Sequence, residues 1–361
     1  MSVHSLMSAD FEVSETNNGP GPCNGFPDYK DLPINQAFYL GAHKQQRLHN
    51  VAQMLKDGIR YLDINLCKHQ GQIVVCSRYD GAPSDLAFTD IIEELFQFAR
   101  NTVEQILILN VDAENVNEPV DTRLLETIID EKCKIHTEAT EGTDEFVSKE
   151  CPFIYTHMPG KCQWPSMGEL VNYNPEMAQW EGDGEVVGVR SKFIITKSNQ
   201  IHPTPKYYPT YFTPKFWRSV PKENLIPEDG LVTVDRIKNV VNKECKSLIR
   251  AAGGGDGIGM ELHGLSTAFN KNEVDPQHQQ VIIEDIIAGK AGCNIDDFPM
   301  NTYFTFVSFD NYNTITPYLR ELQKRMMKVN YSKWKQEHTT LEPSRLIAEG
   351  NIKQKVQRDE L

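Results

Sequence analysis

From residue 38 onward, short apolar runs alternate with segments whose apolar residues recur at helical spacing. The runs "FYLGA", "IRYLDINLC" and "EQILILNVD" predict strands, and "RLHNVAQMLKDG" and "SDLAFTDIIEELFQFARN" between them predict amphipathic helices. A strand, a helix and a second strand in succession form a parallel βαβ unit. Later apolar runs bring the number of strands to about eight, which favours a single (β/α)8 TIM-type barrel of the α/β class over two small open sheets.

The composition divides the chain into three parts. Residues 1–22 lack a basic start and an apolar core, so we expect a flexible lead-in and no secretory signal. Residues 23–335 carry the barrel pattern with irregular insertions, and residues 336–361 form a polar tail. The tail ends in "QRDEL", which is close to the endings that retain proteins in the endoplasmic reticulum. We therefore expect the secretory pathway, in that lumen or outside the cell, with the cytoplasm as the alternative.

Charge and cysteine content narrow the class of partner. A formal net charge of −13 argues against nucleic-acid binding and against adhesion to anionic membranes through bulk charge. Contact with a membrane is then peripheral at most, and we expect a monomer. The eight cysteines include no CxxC pair, which disfavours a zinc ribbon. Their even number suits either a few disulfides in a secreted domain or scattered buried thiols.

Three polar residues fall at the ends of the first two predicted strands. His43 follows "FYLGA", and Asp63 and Asn65 lie two apart near the end of "IRYLDINLC", so they share one face of that strand. In a parallel barrel the active site lies at the carboxyl ends of the strands. If the shared face points inward, the three residues converge into an acid–base or metal site. The alternative is that His43 is a structural histidine at a strand end.

The order of the motifs resembles that of the phosphatidylinositol-specific phospholipase C-like phosphodiesterases, especially the secreted fungal and bacterial type. The segments "AFYLGAH", "DGIRYLDINL", "GQIVVCS" and "EQILILNVD" follow one another as the family's first strands do. "CPFIYTHMPGKCQWPSMGELV" and "NTYFTFVSFDNYNTITPYLREL" are similar to later family segments, so that the likeness covers roughly residues 23 to 330. The resemblance implies a barrel that cleaves a phosphodiester beside a hydroxyl group, in a phosphoinositide-like lipid or a small phosphodiester.

The resemblance also assigns roles to individual residues. His43 matches the histidine that removes the hydroxyl proton, and Lys44 replaces the Asn or Asp that normally follows it. Asp63 and Asn65 match the pair that binds Ca²⁺ in the metal-dependent branch, although one carboxylate and one amide would make a weakly charged site. Lys44 could instead supply the positive charge.

Substrate contacts fall to Arg60, Asn65 and Arg78 under the same resemblance. The family's second histidine, the general acid, falls at Ser77, whose hydroxyl is far too weakly acidic to serve. His157, which follows "FIYT", and His69, in the hairpin turn, are the candidate replacements.

The register of the hairpin after Asn65 is left open by the sequence. A two-residue turn at Gly71-Gln72 would place Cys67 opposite Cys76, permit a disulfide between them, and put Cys76 on the face of Asn65. A one-residue bulge would put Ser77 there instead.

Three hypotheses of different classes remain. The first is a working phosphodiesterase with an altered acid, and the second is a lapsed barrel that binds phospholipid head groups or a protein partner without turnover. The third is a structural barrel in which replacing His43 changes only stability. Ser77 favours the second hypothesis over the first, and the joint presence of His43, Asp63 and Asn65 favours the first two over the third.

Overall fold

Eight parallel strands follow one another across the main sheet of the computed structural model. The structure describes residues 15–16, 19–20, 24, 30–37, 39–43, 51–77, 81–102, 105–113, 120–138, 151–157, 164–171, 191–198, 201, 211–219, 239, 259–262, 304–309 and 316–324. Its strands in chain order are β1 (Glu15–Thr16), β2 (Gly19–Pro20), β3 (Tyr39–His43), β4 (Tyr61–His69), β5 (Gln72–Cys76), β6 (Pro83–Ala87), β7 (Ile106–Asp112), β8 (Lys192–Lys197), β9 (Phe212–Thr213), β10 (Trp217–Ser219), β11 (Gly259–Leu262) and β12 (Phe304–Phe309). The parallel path runs β10-β11-β12-β3-β4-β7-β8-β9.

The remaining strands are antiparallel, and the described helices between strands lie in the crossovers from β3 to β4, from β4 to β7 and from β7 to β8. β5 and β6 extend from β4 as a meander, and β1 and β2 form a separate two-stranded sheet. The helices are α1 (Val51–Lys56), α2 (Phe88–Asn101), α3 (Thr122–Glu138) and α4 (Met167–Leu170), followed by a 3₁₀ turn at Thr316–Tyr318. The predicted α/β class is confirmed. Among the later apolar runs that predict strands, "GLVTVD" lies outside the described residues.

The two edge strands of the main sheet, β9 and β10, are close in sequence, and the sheet must therefore curl strongly. Flat, eight strands would span about 34 Å, since neighbours lie about 4.8 Å apart. The terminal strands β9 and β10 are nevertheless separated only by residues 214–216. Four Cα steps cover at most about 15 Å, so the two edges must approach one another. Among the described strands β9 and β10 are not hydrogen-bonded to each other, and closure into a (β/α)8 barrel stays a prediction.

Two apolar layers cover the two faces of this sheet. The outer layer packs Leu62, Leu109 and Ile195 of the sheet against α1, α2 and α3. The inner layer joins strand residues such as Tyr61 and Ile108 to the segment 30–37 and to α4. Because the strands are buried on both faces, a run such as "ILILNVD" is apolar with few interruptions. The polar side chains that interrupt these runs on the inner face are therefore the ones that call for an explanation.

The β4–β5 hairpin turns at Gln70 and Gly71, within the "HQGQ" segment. Their φ values of 51° and 81° are the positive pair that a two-residue type I′ hairpin requires. Cys67 therefore lies opposite Val74, so the register with a turn at Gly71-Gln72 and Cys76 directly opposite Cys67, one of those that the sequence left open, is not the one formed.

The disulfide between these two cysteines forms all the same. It is diagonal, with the Cα atoms of Cys67 and Cys76 5.8 Å apart. A second disulfide links Cys133, in α3, to Cys151. Cys76 shares its face with Cys67 and Val74, so the hairpin presents a disulfide on the face of Asn65.

Candidate active site

One row of polar residues crosses the inner face of five neighbouring strands. His43 of β3 is in register with Asp63 of β4, and Asp63 is in register with Asn110 of β7. Asn110 is in register with Thr196 of β8, which in turn is in register with Thr213 of β9. Residues in register on adjacent strands share a face, so all five belong to one layer of the sheet. The expectation that His43 and Asp63 converge is thus supported at the level of the backbone, because β3 and β4 bring these two residues side by side.

Hydrogen bonds connect the middle three residues of this row. The Asn110 amide Nδ2 donates to Asp63 Oδ1 over 2.8 Å, and Thr196 Oγ1 donates to Asn110 Oδ1, also over 2.8 Å. All three side chains are at most 3% exposed. Burying a carboxylate in this way is tolerated only because a polar neighbour compensates the lost water. The row is therefore a hydrogen-bonded polar layer, which lies one layer closer to the carboxyl ends of the strands than the apolar residues Tyr61 and Ile108.

A second polar layer lies one pleat further toward the carboxyl ends. Asn65 of β4 is in register with Asp112 of β7, and both are buried. Asn65 Nδ2 lies 3.4 Å from the carbonyl oxygens of both Cys76 and Ser77. Asp112 Oδ1 accepts from the backbone N–H of Ala113 over 2.8 Å. Asn65 thereby connects the main sheet to the hairpin at the end of β5.

Ser77 lies beside this second layer. Its N–H donates to the carbonyl of Ala82, its carbonyl accepts from the N–H of Gly81, and its side chain is buried. The carbonyls of Cys76 and Ser77 both face the side-chain amide of Asn65. Successive carbonyls in a regular strand point in opposite directions, so the strand ends at Cys76. The structure thus places Asp63 beside the backbone of His43, and Ser77 beside Asn65 in the next layer. Lys44 and Arg78 lie outside the described residues, as does the side chain of His43.

The glycine two residues before His43 is required by packing. A Cβ atom at Gly41 would lie 2.5 Å from Cδ1 of Tyr61 and 3.0 Å from Cβ of Ser308. Both neighbours are buried in adjacent strands, so neither can move aside at low cost. Gly41 therefore allows β12, β3 and β4 to pack closely just below the polar row, which is a structural reason for "LGAH" that the sequence alone did not reveal.

Arg60 directly precedes β4, on the amino side of this site. Its Nη1 donates to the carbonyls of Leu55 and Ile59, and its Nε and Nη2 donate to Oε1 of Gln105. The guanidinium also lies over the ring of Phe98, 5.2 Å from its centroid. Burial lowers its pKa to about 9, so it remains charged at neutral pH. The predicted substrate contact through Arg60 finds no support in this position, and we leave Arg60 out of the proposed site.

His157 belongs to an aromatic cluster. Its ring stacks on Trp164 with centroids 3.9 Å apart, and its Nδ1 is 3.0 Å from the hydroxyl of Tyr155. Its backbone N–H donates to Oγ1 of Thr213, which attaches this segment to the far end of the polar row from His43. Its side chain is only 5% exposed, and burial lowers the pKa of its imidazole. A neutral, stacked imidazole is poorly suited to the general acid that the sequence assigned to it.

The lowered pKa of His157 predicts a loss of stability in mild acid. Above pH 6.5 the imidazole is neutral in both states, so it has no effect there. As the pH falls through 6.5 the unfolded chain binds the proton first, and the folded state loses stability until its own, lower pKa is reached. We expect His157→Phe to reduce the drop in unfolding free energy between pH 7.5 and pH 5, measured by urea denaturation. An equal drop in both proteins would contradict this assignment.

The described oxygens do not by themselves make a Ca²⁺ site. Asp63, Asn65 and Asp112 lie on adjacent strands, and Ca²⁺ takes about six to eight oxygen ligands. One oxygen of Asp63 already accepts from Asn110, and one of Asp112 accepts from Ala113. No group of three or more His, Cys, Asp or Glu side chains suited to a metal occurs within the described ranges. The described residues therefore do not supply the full set of ligands that Ca²⁺ requires.

Sequence reasoning missed Asn110, Asp112, Thr196 and Thr213. The signal for the first two was present, because "LNVD" at the end of β7 repeats the polar-apolar-polar spacing of "DIN" at the end of β4. Thr196 and Thr213 gave no such signal, since a threonine in a strand is ordinary. Their place in the row is visible only from strand register.

Comparisons with known proteins give matches among solved structures alone. No family model matches the chain, and no curated protein does. The chain is similar to the phosphatidylinositol-specific phospholipase C from Listeria monocytogenes, at 12% identity over 83% of this chain and 97% of that one, with a TM-score of 0.46. A mutant of the Staphylococcus aureus enzyme matches at 10% identity over 86% and 99%, with a TM-score of 0.44.

A calcium-dependent phosphoinositol-specific phospholipase C from a Pseudomonas species matches at 8% identity over 80% of this chain and 93% of that chain, with a TM-score of 0.33. At such identities and TM-scores the likeness does not establish an activity, and we base the proposal below on the residues at the strand ends. Among the described helices, none is long and apolar enough to cross a bilayer.

Proposed function

We propose that the chain is a phospholipase C-like phosphodiesterase that uses His43 as its general base. The observation that carries the proposal is the polar row, in which the backbone of His43 on β3 is in register with the buried Asp63 on β4. Positioned imidazole and carboxylate groups are the usual means of removing a proton from a hydroxyl group at neutral pH. In β3, β7, β8 and β9 the row lies in the carboxyl half of the strand, near the end at which α/β proteins place their reacting groups.

The reaction would proceed by internal displacement at phosphorus. His43 removes the proton of a hydroxyl group beside the phosphodiester, and that oxygen attacks the phosphorus. The bond to the leaving oxygen breaks, that oxygen takes up a proton from water, and a cyclic phosphodiester remains. The substrate class is an inositol-type head group, in a phosphoinositide-like lipid or a small phosphodiester, with Asn65 and Arg78 as its contacts and Lys44 as the cation that balances the developing charge.

The second candidate function is head-group binding without turnover. It is favoured by Ser77, which takes the place of a second histidine and cannot protonate a leaving oxygen near neutral pH. The same site would then bind the head group without cleaving the phosphodiester.

The rest of the proposal follows from the fold and its crosslinks. We place the working unit in residues 23–335 as one closed (β/α)8 barrel, monomeric and in peripheral contact with lipid. Cys67–Cys76 and Cys133–Cys151 favour an oxidising compartment, and hence the secretory route.

Turnover by the purified protein on phosphatidylinositol vesicles and on a soluble inositol phosphodiester tests this proposal. The assay compares wild type with Ser77→His, each with Ca²⁺ and with a chelator. Release of a cyclic phosphate by wild type supports the enzyme, and any fall on chelation assigns Ca²⁺ a part. Silence in wild type with activity gained by Ser77→His supports the lapsed barrel. Silence in both, with no binding of the head group, would refute both functions.

A further inference from the structure

The two hydrogen bonds in the middle of the polar row run in one direction, from Thr196 to Asn110 and from Asn110 to Asp63. An ionised carboxylate only accepts hydrogen bonds, so Asn110 must present Nδ2 to Asp63. The amide oxygen of Asn110 then faces β8, where it needs a donor. Thr196 Oγ1 lies 2.8 Å from that oxygen, and a hydroxyl rotates freely enough to donate. Thr196 thus selects one of the two orientations that the Asn110 amide could adopt.

The other orientation would be unfavourable for the carboxylate. If the amide turned over, its oxygen would face Asp63 Oδ1, and two acceptors would meet at hydrogen-bond distance in a buried layer. Without a donor at residue 196, the amide oxygen would also lose its partner in the present orientation. Removing one hydroxyl from β8 therefore acts on a carboxylate two strands away, on β4.

We propose that Thr196 and Asn110 are positioning residues, which hold the Asp63 carboxylate in place beside His43. This inference rests on the proposed function for its effect on catalysis, while the chain of hydrogen bonds itself stands without it. Neither residue need touch the substrate. Both lie at most 3% exposed, in strands rather than loops, which is where rigid support for a reacting group is most precise.

The alternative is that the two residues only satisfy buried polar groups. Under that alternative, their loss would lower stability and leave turnover per folded molecule unchanged. Thr102 offers a matched control, because it is another buried threonine whose hydroxyl makes two contacts, with the carbonyl of Phe98 and with Ser191 Oγ. It lies at the amino end of β7, away from the row.

The experiment compares Thr196→Val, Thr196→Ser and Thr102→Val in the full-length protein. Valine keeps the shape of threonine and removes the donor, and serine keeps the donor. We expect Thr196→Val to lower kcat by about tenfold or more with little change in KM, since small misplacement of a reacting group is costly. Thr196→Ser should stay near wild type, and Thr102→Val should lose stability without losing kcat. A Thr196→Val enzyme with wild-type kcat would overturn the positioning role.

A second readout does not depend on activity. The side-chain amide signals of Asn110 in a ¹⁵N-correlated NMR spectrum can be assigned as those missing from Asn110→Leu. In wild type and in Thr196→Ser we expect one proton that is shifted downfield and protected from exchange. In Thr196→Val that protection should fall, and in Thr102→Val it should not. Unchanged signals in Thr196→Val would overturn the hydrogen-bond chain. A wild-type protein that shows the expected signals but no turnover would refute only the proposed function.

Discussion

Replacing His43 by alanine is expected to lower turnover of an inositol phosphodiester by about 10²- to 10⁴-fold. His43 is the last residue of β3 and its backbone lies in register with Asp63, so the change removes the only group assigned to take the hydroxyl proton. That range corresponds to about 3–5 kcal/mol of transition-state stabilisation. The measurement is kcat/KM on the soluble phosphodiester, since it avoids effects of the lipid surface. Stability should change little, because alanine at a strand end leaves the apolar layers intact.

His69→Ala is the matched control for His43→Ala. His69 ends β4, four residues beyond Asn65, and is exposed beside the hairpin turn. The sequence allowed it as a replacement acid, but its exposure favours a solvated surface residue, and we expect wild-type turnover. If His69→Ala were as damaging as His43→Ala, the acid would have to be sought in the hairpin. If neither variant changed turnover, His43 would be a structural histidine.

Replacing Arg60 by methionine is expected to destabilise the protein by about 3–5 kcal/mol, through the loss of a buried cation that satisfies three acceptors. The carbonyls of Leu55 and Ile59 and Oε1 of Gln105 all accept from this guanidinium, and Arg60 is only 1% exposed. Methionine fills much of the volume and donates nothing, so the acceptors would remain buried without these bonds. Urea denaturation with a linear extrapolation measures the change in unfolding free energy.

Two further variants separate the structural role of Arg60 from a substrate contact. Arg60→Lys keeps the charge but cannot reproduce the planar fork, so we expect an intermediate loss of stability with kcat/KM unchanged per folded molecule. Arg100→Met, at an exposed position in the last turn of α2, should change stability by less than about 0.5 kcal/mol. A stable Arg60→Lys protein with a raised KM would return Arg60 to the substrate site.

The sequence by itself determined the local elements and the first members of the site. Alternating apolar runs and helical periods predicted α/β architecture, because strands buried on both faces and helices buried on one have different periods. The spacing of Asp63 and Asn65 placed them on one face for the same reason. The register of the β4–β5 hairpin was left open by the sequence, and the structure places its two-residue turn at Gln70 and Gly71.

Only the tertiary structure decided which polar residues meet. Asn110 and Thr196 are distant from Asp63 along the chain, and they join it only because parallel strands β4, β7 and β8 align in one register. Arg60 is only three positions before Asp63 in the chain, yet it lies outside the row, because its guanidinium is bonded to Leu55, Ile59 and Gln105 before β4 begins. Periodicity is a local property that the chain carries in its residue order. Register depends on how whole layers pack, so it becomes visible only once the sheet has formed.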